Sequence, residues 1–161
     1  MKEIKILFVC LGNICRSPAA EGVMSSLISN DGLREFISVD SAGTLSYHQG
    51  EAADPRMKAH AEQRGYDLTS ISRKFNPKKD FDEFDYIVTM DNSNYREIKK
   101  LAVDSEQKNK IFKMANFIKN HKVDEVPDPY YEGPEGFEYV LDIIEDGCKE
   151  ILKKVKNEIR L

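Results

Sequence analysis

Cys10 and Arg16 stand with five residues between them in the run Cys10-Leu11-Gly12-Asn13-Ile14-Cys15-Arg16-Ser17-Pro18. That spacing puts a thiol and a guanidinium at the two ends of one short turn. A guanidinium can fork onto two oxygens of a phosphoryl group, as a lysine cannot. Gly12 and Asn13 are residue types that readily supply positive φ, so the backbone between can curl its N–H groups into a nest for an anion. A thiol facing such a nest, an arginine and a hydroxyl such as Ser17 is favoured as its thiolate, a nucleophile suited to attack on phosphorus. A cysteine at the end of an apolar strand is usually no more than a small buried hydrophobe. Here Gly12, Asn13, Arg16, Ser17 and Pro18 all fit an anion loop and have no role in a plain strand end.

The elements on either side must hold that loop. Ile4 to Cys10 (IKILFVC) is nearly continuously apolar after Lys5, as in a strand buried on both faces of a parallel sheet. From Pro18 the apolar positions Ala20, Val23, Met24, Leu27 and Ile28 recur at three and four residues, which predicts a helix with one core face. Ser17 is expected as its N-cap and Pro18 as its first residue. The loop therefore runs from a strand's carboxyl end to a helix N-terminus, where unpaired N–H groups attract anions.

Asn30-Asp31-Gly32 stops that helix, and Ile37 to Ser41 alternates as a second strand. Residues 42–53 read as a loop carrying Tyr47 and His48, the histidine exposed and without a role. Asp54 caps a second helix, opened by Pro55 and closed by Gly65. Residues 66–79 are polar and irregular. The acidic run Asp80, Asp82, Glu83, Asp85, interleaved with Phe81 and Phe84, reads as a helical turn with a solvated face rather than a metal site. Residues 85–90 form a third strand, and Asp91-Asn92-Ser93-Asn94 caps a helix through Leu101. Asp91 has two readings, a plain N-cap or a support behind the anion loop at the ligand-binding edge of the sheet. Residues 111–114 give the last strand. A long loop, 120–136, carries Asp128-Pro129-Tyr130-Tyr131, and Phe137 to Ile159 trace one face of a long terminal helix. Strands alternating with helices predict a doubly wound α/β fold, a parallel sheet with helices on both faces.

The segment Cys10 to Glu21, C-L-G-N-I-C-R-S-P-A-A-E, resembles the signature loop of the low-molecular-weight protein tyrosine phosphatases. The resemblance continues through Asp40-Ser41-Ala42-Gly43, Asp54-Pro55-Arg56, residues 84–91 (FDYIVTMD) and residues 126–131 (VPDPYY). It implies a four-stranded sheet of order 2-1-3-4 with a phosphate-binding loop after the first strand. It further implies that Cys10 is the nucleophile, Arg16 the phosphate ligand and Asp128 the general acid. Ser17 then tunes the thiolate and Asn13 holds the loop's shape. Leu11, Gly12, Ile14 and Cys15 complete the loop, and Tyr47, Tyr130 and Tyr131 form the substrate rim. The implied substrates are phosphotyrosine residues of proteins and small aryl phosphates, with inorganic phosphate as product and no cofactor or metal. Many relatives carry a histidine near Ser70 that hydrogen-bonds the loop serine; this chain has Ser70 and Ser72, which leaves the orientation of Ser17 open. Two activities of the same fold are alternatives. An arginine phosphatase typically has threonine where Ile14 stands. A thioredoxin-coupled arsenate reductase needs two further cysteines after the third strand, and none lies between Cys15 and Cys148.

A chain of 161 residues with 40% hydrophobic content is expected to form one domain, 1–161, burying about 70% of its unfolded surface. Three cysteines, two of them in one loop, do not make a secreted disulfide framework, and the chain opens directly on a strand, so a cytoplasmic monomer is expected. The net charge of −4 argues against a sequence-independent nucleic-acid binder, and no apolar run is of membrane-spanning length. Neither nucleic acid nor membrane is expected as a partner.

Overall fold

Strand β1 (Ile4–Cys10) lies at the centre of the molecule because its side chains alternate between two cores. The computed structural model describes residues 3–159. Ile4, Ile6, Phe8 and Cys10 pack into one apolar cluster and Leu7 and Val9 into another on the opposite face, which is why the strand reads as a continuous apolar run. In chain order the elements are β1, α1 (Arg16–Asn30), β2 (Ile37–Gly43), α2 (Pro55–Gln63), α3 (Pro77–Glu83), β3 (Tyr86–Thr89), α4 (Asn92–Leu101), the single turn α5 (Ser105–Lys108), β4 (Ile111–Lys113), a 3-10 turn (Met114–Phe117) and α6 (Pro134–Ile159). The four strands form one sheet of order β2-β1-β3-β4, every pairing parallel. α1, α2 and α6 contribute to the first cluster, α3 and α4 to the second. β1 sends its chain to β2 on one side and has β3 on the other, so a crevice opens beyond its carboxyl end. The loop after β1 sits in that crevice.

Several boundaries differ from the sequence expectation. β2 runs on to Gly43 because it stays paired with β1 as far as Cys10, and a distant segment bridges its outer edge there, the Gly43 amide donating to Arg73 O at 2.8 Å and the Phe75 amide to Gly43 O at 2.8 Å. β3 is shorter than 85–90, and α6 begins at Pro134 rather than Phe137. Ser17 does not cap α1. The helix starts at Arg16 with Cys15 in the N-cap position and no side-chain cap, because the Ser17 hydroxyl is engaged in the loop. The acidic turn is not uniformly solvated either: Asp80 is buried and receives Arg73 Nη1 at 3.0 Å and the Asn76 amide at 2.7 Å. α2 forms as expected, its N-cap Asp54 accepting from the Arg56 and Met57 amides. Arg64 at its end fastens α2 to α6 through Glu138 (2.7 Å), Asp142 (2.9 Å) and Glu145 (2.8 Å). Among the described residues no helix is long and apolar enough to cross a membrane.

Candidate active site

The loop from Leu11 to Cys15 is turned so that its carbonyls face the protein. Cys10 O and Leu11 O accept from the Thr44 and Leu45 amides, Ile14 O from the Asp54 amide at 2.7 Å, and Cys15 O from the Ala19 amide; Gly12 O accepts from the Ser72 hydroxyl at 2.9 Å. The amides of Leu11 to Cys15 make no hydrogen bond among the described residues, and they are left to converge on whatever enters the turn. Buried polar groups without partners are costly, so a ring of them at a helix N-terminus is a site for an anion.

The curvature comes from Asn13, at φ 56° the only residue other than glycine with positive φ among those described. Asparagine tolerates that conformation better than most. Gly12 is not in that conformation and is favoured for a different reason: a Cβ there would lie 3.0 Å from the His48 ring, which would have to shift. His48, expected to be exposed and idle, is therefore a wall of the loop, half-buried, with its Nδ1 3.0 Å from Glu51. Gly43 lets β2 approach the loop, since a Cβ on it would lie 2.8 Å from Leu11 O.

Beneath the loop, Cys10 Sγ lies 3.0 Å from Ser17 Oγ, both atoms buried. Asn13 Nδ2 donates to the same Ser17 oxygen at 2.8 Å, while Asn13 Oδ1 accepts from the Arg73 amide at 3.0 Å. With one lone pair occupied by Asn13, the Ser17 proton is free to be given to sulfur; Ala42 O, at 3.4 Å, is the weaker alternative. Thus Asn13 orients Ser17, and Ser72 holds Gly12. In the segment where the resemblance implied a histidine, Ser72 bonds Gly12, and the Ser17 hydroxyl is oriented by Asn13 from within the loop.

Arg16, the first residue of α1, is only 3% exposed. Its Nη1 donates to Asp91 Oδ2 at 2.8 Å and to Val126 O at 3.0 Å, and Nη2 lies 3.8 Å from Asp128 Oδ2. Burial disfavours its charge, but Cys10 and Asp91 outweigh that cost and keep it a cation. Both readings of Asp91 hold at once: Oδ1 caps α4 by accepting from the Asn94 amide at 2.8 Å, in a capping box with Asn94, and Oδ2 holds Arg16. Cys15 differs sharply in chemistry from a thiol open to solvent. Burial first, then the neighbouring Cys10, Asp54 and Asp128, push its pKa well above the usual thiol range, so it stays protonated.

Asp128 is partly exposed on the long loop, which is anchored by the Val126 amide donating to Met90 O at 2.8 Å. Asp128 Oδ1 accepts from the Tyr130 amide at 3.0 Å. The cavity over the loop measures about 410 Å3 and is lined by Cys10, Leu11, Gly12, Ile14, Cys15, Arg16, Leu45, Tyr47, His48, Asp128, Tyr130 and Tyr131. Tyr47 (83% exposed) and Tyr131 (94%) stand at its mouth. Every residue expected at the site lies in this cavity or directly behind it, Asn13 and Ser17 beneath the loop and Asp91 behind Arg16. His48, Leu45 and Ser72 were missed, and the sequence carries no local mark for them; Asp54, whose amide holds Ile14 O, was expected only as a helix cap. A larger cavity of about 780 Å3, between α1, the 120–121 segment and α6, is lined by mixed charges and has no thiol. Among the described residues no cluster of three or more His, Cys, Asp or Glu could hold a metal ion.

Fold and site together define a class: parallel α/β proteins whose first strand ends in a thiol inside a ring of backbone amides at the carboxyl edge of the sheet. Residues 5–161 match the family model described as low molecular weight phosphotyrosine protein phosphatase, and the chain belongs to that family. A protein tyrosine phosphatase from Entamoeba histolytica superposes with a TM-score of 0.93 at 51% identity, covering 99% of this chain and 100% of that one. A relative from Synechocystis sp. that carries protein-tyrosine-phosphatase in its name is 45% identical over 156 residues, 97% of this chain and 99% of its own length. An arginine phosphatase from Drosophila shares the fold too, with a TM-score of 0.87 at 33% identity over 95% of this chain and 98% of that one.

Proposed function

We propose that this chain hydrolyses phosphotyrosine residues of proteins, and small aryl phosphates, through a cysteinyl phosphate. The observation that carries the reading is the ring of unbonded amides from Leu11 to Cys15 with Cys10 Sγ at its base and with Arg16 and Asp128 lining the same cavity 3.8 Å apart. Phosphate oxygens seated on those amides and on the free edge of the Arg16 guanidinium leave phosphorus facing sulfur. The Cys10 thiolate, stabilised by the Ser17 hydroxyl, forms the S–P bond as the P–O bond to the phenol breaks, and Asp128 gives its proton to the departing oxygen. Water then attacks phosphorus, its proton returning to the Asp128 carboxylate, and the S–P bond breaks to release inorganic phosphate and the thiolate. Both half-reactions balance with no group beyond these side chains and water.

The tyrosines at the mouth, with Leu45 and Ile14, give the cavity the aromatic and apolar lining that suits an aryl ring. An arginine phosphatase would place a guanidinium against Ile14, which offers it no acceptor. An arsenate reductase route lacks its further thiols: Cys148, the one cysteine outside the loop, is fully buried on α6 with its sulfur turned toward Ala20 O. We further read the chain as one domain working in the cytoplasm, supported by its three unpaired thiols.

The test is turnover of p-nitrophenyl phosphate, a phosphotyrosine peptide and a phosphoarginine peptide by the wild type and Cys10→Ser. Aryl turnover that vanishes in the variant, with the phosphoarginine peptide the poorest substrate, is expected. Activity retained in Cys10→Ser would overturn the mechanism, and a preference for phosphoarginine would overturn the substrate class.

A further inference from the structure

We propose that Arg56 is a positioning residue for the proton donor, a strut between the anion loop and the chain just after Asp128. The proposal rests on Asp128 being that donor. At one end the strut is tied to the loop. The Asp54 amide donates to Ile14 O at 2.7 Å, and the Asp54 carboxylate, 5% exposed, grips Arg56 through Nε at 3.2 Å and Nη2 at 3.0 Å as well as through its amide at 2.8 Å. A guanidinium held by two side-chain contacts and its own backbone has little freedom to swing.

At the other end the guanidinium carbon lies 5.1 Å from the Tyr130 ring centre and 4.9 Å from that of Phe137, within the range of cation–π attraction. Phe137 is a fixed wall. It is 1% exposed and stacks on His60 with centroids 5.6 Å apart and planes within 2°. Tyr130 is the movable partner, two residues beyond Asp128, and its amide donates to the Asp128 carboxylate. Upstream, Val126 is pinned by Met90 O and Arg16. Between the pins stand only Pro127, Asp128 and Pro129, and both prolines have restricted φ. Arg56 therefore supplies the downstream pin, which with the upstream one sets where the carboxyl sits relative to Arg16. When the half-exposed guanidinium is removed, the buried Asp54 carboxylate keeps the Arg56 and Met57 amides as donors, so the removal should be felt more in proton delivery than in stability.

The experiment compares wild type, Arg56→Met, Arg56→Lys and Asp128→Ala on phenyl phosphate and on an aryl phosphate whose ring carries strong electron-withdrawing groups, with Tm measured for each. Misplacing the donor by a fraction of its reach should cost Arg56→Met roughly 10- to 100-fold in kcat/KM on phenyl phosphate and about threefold or less in kcat/KM on the activated ester, whose oxygen leaves without a proton; kcat/KM is the readout because it leaves out the hydrolysis of the cysteinyl phosphate that both esters share. Arg56→Lys, keeping a cation over the Tyr130 ring, should fall between the two. Tm should stay within about 2–4 °C, the equivalent of a change near 1 kcal/mol. An equal loss on both esters, or no loss while Asp128→Ala shows the leaving-group dependence, would overturn the proposal. If Asp128→Ala itself lost activity uniformly across the esters, the donor assignment would fall, and the strut's function with it.

Discussion

The carboxylate of Asp91 joins helix stability to the aim of Arg16, and substitutions can separate the two. Oδ1 caps α4 and Oδ2 receives a buried guanidinium at 2.8 Å. Asp91→Ala removes a cap worth about 1 kcal/mol and a charge-assisted hydrogen bond worth roughly 1.5–3 kcal/mol. The sum, about 2.5–4 kcal/mol, lowers Tm by roughly 5–15 °C in a domain of this size. Val126 O remains as an acceptor for Nη1, but one bond leaves the guanidinium free to turn, and a misplacement of about 1 Å costs on the order of 10²-fold in kcat/KM. Asp91→Ser restores the cap, because serine is among the best N-cap residues, yet its hydroxyl is too short to reach Arg16. It should regain about 1 kcal/mol of stability and none of the lost turnover. Asp91→Asn has one acceptor oxygen, so when that oxygen caps α4 its NH2 faces the Arg16 donor, and it should resemble Asp91→Ser in both stability and lost turnover. Thermal melts with p-nitrophenyl phosphate kinetics on the three variants measure both consequences. An Asp91→Ser enzyme with wild-type turnover would refute the reasoning, for Asp91 would then be a helix cap and nothing more.

Ser72→Ala should leave the fold intact, free the Gly12 carbonyl to turn, and weaken inhibition by inorganic phosphate about 3- to 10-fold, the equivalent of losing one hydrogen bond of roughly 1 kcal/mol; unchanged phosphate affinity would show that the loop needs no such tether. Asp146 gives a pH prediction. Burial would raise its pKa, but hydrogen bonds from the His121 ring and the Asn120 and Lys119 amides outweigh it and hold the carboxyl below its ordinary range. Its contribution is therefore present above the unfolded value of about 3.9 and lost as pH falls through the lower folded value, so acid melts of Asp146→Asn should start from a lower Tm at neutral pH and fall less steeply below pH about 4 than the wild type; parallel curves would dismiss it. Cys15, kept as a neutral thiol beside Cys10, should act as a resolving partner once peroxide oxidises Cys10. Peroxide inactivation should be reversed by dithiothreitol in the wild type and poorly in Cys15→Ser, and equal recovery in both would show Cys15 to be inert.

The anion loop was legible in the sequence because its geometry is local. A strand end, one residue able to take positive φ and a helix start follow one another within eight positions, so the turn is written locally even though residues 44, 45, 54, 72 and 73 hold it from outside. The same holds for β1, whose two-sided burial is written in its unbroken apolar run, and for α2, whose cap and stop residues bound it directly. Local signals misled where a side chain had a tertiary partner to prefer. Ser17 looks like an N-cap until Asn13 and Cys10 are placed around its hydroxyl, and Asp80 looks solvated until Arg73 reaches it. Asp91 could not be settled from spacing because its second oxygen meets a residue 75 positions away. Ser72 reaches Gly12 across 60 positions, and Arg56 meets Tyr130 only where the long loop before α6 folds back over α2. The sequence by itself determined which groups come together in the anion loop, since thiol, nest and cation are neighbours along the chain. Tertiary structure alone decided how each is aimed, because orientation depends on contacts between segments that only the closed sheet and its packed helices bring together.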